Sequence, residues 1–103
     1  MEFHKILVPV IGTEADEEAI KLACVLAKKH KGSIWAVYVI AVKRTLPLDA
    51  DIEPEIRRAE NILDGMDKMA EEQEYEIETD LLQAREVGPA IVDEAAERGL
   101  TLS

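Results

Sequence analysis

Few residues in this chain can do chemistry. His4, Cys24 and His30 are its strong transition-metal donors, and no two of them stand at a spacing that would present both to one ion. His30 fits the C-terminal end of a helix, and His4 leads into a strand. Cys24 lies about 140° around its helix from Ala19, off the centre of the core stripe, and reads as a small boundary residue, with a partly exposed, oxidisable thiol as the alternative. The acidic run from Glu71 to Asp80 lacks the D-x-[DN]-x-[DN]-G order of a calcium loop and reads as a solvated face. Met66 and Met69, at helical spacing, read as core filling. Asp80 and Asp93 are not placed as a receiver-type phosphoacceptor, because no acidic pair follows the first strand. No nucleophile and base can be paired, so the expectation is a protein without a catalytic site and without a metal.

The element that would position any ligand is the stretch Lys5-Ile6-Leu7-Val8-Pro9-Val10-Ile11-Gly12-Thr13. It is aliphatic on both faces: Ile6, Val8 and Val10 point one way, Leu7, Pro9 and Ile11 the other. Such a strand belongs in the middle of a parallel sheet, and the carboxyl end of such a strand is where open α/β sheets hold ligands. Thr13 then caps a helix, with Asp16 three residues on and Glu14, Glu17 and Glu18 at the positive end of the dipole. Ala15, Ala19, Leu22, Ala23 and Leu26 form the expected inward stripe, and Lys28 to Lys31 close the helix with Gly32 as its left-handed stop.

Ser33 to Val42 is a second two-sided strand, which completes a βαβ unit with parallel strands. Residues 43 to 51, with Pro47 inside, read as a loop. From Ile52 a long amphipathic helix follows, with Ile56, Ala59, Leu63, Met66 and Ala70 inward, Ile62 and Met69 flanking, and Pro54 in its first turn. Gly65 in its middle suggests a bend or a close contact. Tyr75 to Leu82 alternates, with Tyr75, Ile77, Thr79 and Leu81 on the apolar side, as expected of a charged edge strand. Gly88-Pro89 opens a third helix to Arg98, with Ile91, Val92, Ala95 and Ala96 inward and Gly99 as its end. Leu100 to Ser103 starts one more apolar strand.

The chain has 103 residues, 48% of them hydrophobic, which suits one small α/β domain. Its formal charge of −10 is uneven. Residues 1–52 carry seven basic and seven acidic side chains, while residues 53–103 carry five basic and fifteen acidic. That half repels polyanions, so neither nucleic acid nor an anionic membrane is expected as a partner. With one cysteine and no apolar run of membrane-spanning length, the expected setting is cytoplasmic.

In order and spacing, the chain resembles the universal stress protein family over essentially its full length. The resemblance is carried by Lys5-Ile6-Leu7-Val8-Pro9-Val10 with Gly12-Thr13, by Ala36-Val37-Tyr38-Val39-Ile40, by the charged second helix, and by Gly88-Pro89-Ala90-Ile91-Val92-Asp93-Glu94-Ala95 leading to Gly99. It implies a Rossmann-like parallel sheet of order 3-2-1-4-5 with helices on both faces, ATP as the usual ligand, and frequent dimers through the fifth strand. Two departures bear on function. Nucleotide-binding members usually carry an aspartate where this chain has Ile11, and an isoleucine accepts no hydrogen bond from a ribose. The phosphate-binding G-x-x-G segment expected beyond the fourth strand has no counterpart either.

The resemblance therefore implies a C-terminally truncated domain over 1–103, lacking most of strand 4, the last helix and strand 5. Pro9 and Val39 remain as adenine-slot positions, and no cofactor is expected. The edge of the first strand and the C-terminal stub would then be the surface of a homodimer or of a partner protein. Two roles follow: a non-enzymatic interaction or regulatory domain with a degraded nucleotide site, or an ATP- or AMP-binding stress protein whose site a partner chain completes.

Overall fold

The computed structural model describes residues 5–47, 52–98 and 101–102. The expectations for His4, for the end of the loop at 48–51, for Gly99 as a helix stop and for Leu100 and Ser103 lie outside the described residues. Seven elements follow one another: β1 (Lys5–Val10), α1 (Glu14–His30), β2 (Ser33–Ala41), α2 (Glu53–Glu72), β3 (Glu78–Ala84), α3 (Val87–Arg98) and β4 (Thr101–Leu102).

The four strands form one sheet in the order β3-β2-β1-β4, and every pairing is parallel. The two-sided aliphatic runs take the middle, as their composition requires. β1 pairs with β2 along its whole length, from Lys5 opposite Ser33 to Val10 opposite Tyr38. On its other side β4 reaches only Ile6 and Leu7. The charged β3 lies at the opposite edge.

Alternation along the strands sends side chains into two cores. Ile6, Val8, Val10, Ile34 and Ala36 meet α1 and α2 through Ile20, Ala23, Cys24, Ala27, Leu63, Met66 and Ala70. On the other face, Leu7, Val37 and Val39 meet α3 through Ile91 and Ala95. Helices thus cover both faces, as the α/β reading requires, and among the described residues the second core has fewer buried members.

Several local expectations are corrected. The inward face of α1 is Asp16, Ile20, Ala23, Cys24 and Ala27, while Leu22 and Val25 are exposed. Its left-handed stop is Lys31, at φ 54°, one residue before Gly32. The amides of Lys31 and Gly32 both donate to the Ala27 carbonyl, which satisfies an otherwise orphaned helix-end acceptor. α2 buries Ala59, Leu63, Met66 and Ala70 as its periodicity predicts. Gly65 makes no close contact, since a Cβ there would meet nothing within 4 Å.

β3 begins at Glu78, not at Tyr75. Glu74 is left-handed at φ 59°, the Tyr75 amide donates to the Ala70 carbonyl, and the Tyr75 hydroxyl donates to the Gly32 carbonyl. These bonds commit residues 73–75 to a turn that ties the end of α2 to the start of β2. α3 starts two residues before Pro89 and buries Ile91, Glu94 and Ala95, leaving Val92 and Ala96 in solvent.

Candidate functional site

At the carboxyl end of β1 the chain must leave a buried strand and enter a helix within three residues. Gly12 makes this possible with φ +87°, a region costly to any residue with a Cβ. An added Cβ there would also stand 3.0 Å from Ile62 Cδ1, so the turn lies hard against α2.

Asp16 fixes this turn. Its side chain is buried, 3% exposed, and its carboxylate accepts the amides of Ile11 (3.1 and 3.2 Å), Gly12 (2.6 Å) and Thr13 (3.1 Å). The Thr13 bond is one half of the capping box that the sequence suggests; the bonds to Ile11 and Gly12 go beyond it. Amides gathered at a strand end and a helix start form a ready-made anion site. Here the chain's own carboxylate takes that place.

The adenine-slot candidates come to one face of the sheet. Pro9 stands opposite Val37 in the β1–β2 register, on the α3 side with Val37 and Val39. Val39 is buried among the α3-side core and Pro9 is half-buried. Ile11, where the family resemblance places a ribose-binding aspartate, projects its side chain into solvent at 59% exposure.

At this end of the sheet a cleft of ≈ 710 Å³ opens between the β1–α1 turn and α2, lined by Gly12, Glu53, Pro54, Arg57, Arg58, Asn61 and Ile62. A smaller one of ≈ 240 Å³ shares Arg58 and runs along the end of β2 from Tyr38 to Ala41 beside Glu55. Sequence reasoning missed these residues as a group. The signal available was an Arg-Arg pair early in a helix whose half of the chain is otherwise strongly acidic.

Cys24 is not a boundary residue. It is 1% exposed within the α1–α2 core, and burial pushes its thiol pKa up while Lys28 pulls it down. A buried thiol whose pKa is raised is a poor nucleophile, so the alternative of a partly exposed, oxidisable Cys24 is not met. His30 is exposed at the end of α1. Among the described residues, no three His, Cys, Asp or Glu side chains come together to hold a metal ion. No helix among them is long and apolar enough to cross a membrane.

An open parallel sheet with helices on both faces defines a Rossmann-like α/β protein. The model of the universal stress protein family matches residues 2–102, and the chain belongs to that family. It is 30% identical over 87 residues to a universal stress protein of Methanocaldococcus jannaschii, covering 79% of this chain and 51% of that one, so it spans about half the length of the curated relative it matches.

Solved structures share the fold. A universal stress protein of Archaeoglobus fulgidus superposes with a TM-score of 0.75 at 22% identity, covering 97% of this chain and 72% of that one. A universal stress protein from the same organism, in complex with dAMP, gives 0.78 at 20% identity over 97% and 78%. A family member from Burkholderia pseudomallei gives 0.73 at 16% identity over 99% and 81%.

Proposed function

We propose that residues 1–103 form one universal stress protein-type domain that works as a non-enzymatic interaction or regulatory module and whose nucleotide position at the end of β1 is degraded. The observation that carries this reading is the engagement of the Ile11, Gly12 and Thr13 amides by Asp16. A ligand oxygen entering there must displace a buried carboxylate already matched to several donors. Ile11 adds an apolar side chain where a ribose would need an acceptor. Pro9 and Val39 alone offer adenine a flat apolar contact with little polar specificity.

Calorimetric titration with ATP and with AMP, Mg²⁺ present, tests the reading. The expected result is no binding in the micromolar range, and micromolar binding of either nucleotide refutes it. One finding favours a second reading, in which an ATP or AMP site is completed by a partner chain: a relative with the same fold is known in complex with dAMP.

Assembly belongs to the same proposal. β4 covers only Ile6 and Leu7, so from Val8 to Val10 the edge of β1 has no strand beside it among the described residues. An aliphatic strand with open amides and carbonyls templates pairing with another chain, and the proposed partner is a second copy or another protein docking along this edge and β4. Sedimentation at high micromolar concentration is expected to show a dimer, whereas a stable monomer removes the homodimer.

A further inference from the structure

We propose that the cleft between the β1–α1 turn and α2 binds a small phosphorylated anion, held by Arg58 and Asn61 with Arg57 at its flank. This goes beyond the reading above, because neither Pro9 nor Val39 lines the cleft; Val39 lines only the smaller opening that shares Arg58.

The chemistry is local. Arg58, Asn61 and Ile62 stand three and four residues apart and so share one face of α2. That face looks onto Gly12, whose position for a Cβ lies 3.8 Å from Arg58 Nη2 and 3.0 Å from Ile62 Cδ1. The guanidinium therefore hangs over the tight turn at the end of β1, where the two clefts of ≈ 710 and ≈ 240 Å³ share it. A planar fork of donors matches two oxygens of a phosphoryl group, the Asn61 amide supplies a further donor, and Pro54 and Ile62 form an apolar wall.

Charge placement supports this. Residues 53–103 hold only five basic side chains, and two of them line this one opening. Arg57 is partly engaged with Glu53 at 3.9 Å, whereas Arg58 makes no ion pair with a described residue. Glu53 and Glu55 stand beside the arginines, and Glu14, Asp16 and Glu17 line the adjoining opening on the α1 side. These carboxylates confine an anion to the Arg58–Asn61 side and set a weak affinity.

Amide-resolved NMR titration of the intact chain with pyrophosphate tests the site. The resonances of Gly12, Arg58, Asn61 and Ile62 are expected to shift at millimolar pyrophosphate. Arg58→Ala should weaken binding about tenfold, the loss of one charge-assisted fork. Arg57→Ala should weaken it less, and Lys68→Ala, on the same helix outside the cleft, should leave it unchanged. Adenosine forms a separate arm: shifts at Ile11 and Val39 would refute the degraded-site reading and leave the pyrophosphate result standing. Silence toward pyrophosphate, or shifts that survive Arg58→Ala, overturns the anion site.

Discussion

Leu7→Ala is expected to remove about 3–4 kcal/mol of stability, the middle of the range for truncating a buried leucine. Leu7 is 0% exposed and lies opposite Trp35 on one side and Leu102 on the other in the strand registers. The side of the sheet it faces is thinly built. Its buried members are Leu7, Val37, Val39, Ile91 and Ala95, and α3 is the helix that closes it. On the α1–α2 side, a truncated Val8 leaves neighbours from two helices that can relax toward the gap. On the α3 side the described neighbours are Val37, Val39, Ile91 and Ala95, with Trp35, Leu82, Ala84 and Ala90 partly buried against them, so one helix and rigid strands must close the gap and much of the cavity stays open. For a domain of this size the loss should lower the melting temperature by roughly 10–25 °C. Urea unfolding of the two variants checks it: Leu7→Ala should cost more per methylene removed than Val8→Ala, and equal costs would mean that the α3 side is as well supported as the other.

That asymmetry was only half legible in the chain. β1 and β2 could be read at once, because a run with no polar face has nowhere to go but the middle of a sheet. The inner face of α2 was equally plain, since one side is aliphatic and the other charged. α1 resisted for the opposite reason. Ala19, Ile20, Leu22, Ala23, Cys24, Val25, Leu26 and Ala27 are apolar almost all the way round, so periodicity fixes that a helix forms but not its rotation. Rotation is set by Asp16, whose carboxylate must point back at the turn and so brings Ile20, Ala23 and Ala27 inward with it. The displaced start of β3 has a similar cause. Tyr75 and Ile77 alternate like a strand, but the tyrosine hydroxyl finds its acceptor on Gly32, far along the chain, and no local pattern announces that bond. At the candidate site, Ile11 and Gly12 were legible as residue types. The cleft was not, because it depends on how closely the turn approaches α2.

Asp16→Ala is expected to cost about 2–4 kcal/mol, and Asp16→Asn roughly half as much. Three consecutive amides lose their acceptor in the alanine variant, and the negative charge at the positive end of α1 is lost as well. Asparagine keeps one oxygen for the amides but turns an NH₂ toward others of them. Ile11, Gly12 and Thr13 are exposed, so water can reach part of the turn, which keeps the cost below that of a fully buried ion. Denaturant unfolding measures both variants, and a loss under about 0.5 kcal/mol for alanine would show that water replaces the carboxylate at no penalty. The same substitution probes function in the reverse direction. With the carboxylate gone, the turn offers free amides beside a positive helix end, next to the opening that Gly12 and Asn61 line. If Asp16 is what keeps ligand oxygens away, Asp16→Ala should bind phosphate or AMP more tightly than the parent chain even as it loses stability. If stability falls and affinity does not rise, Asp16 serves the fold alone.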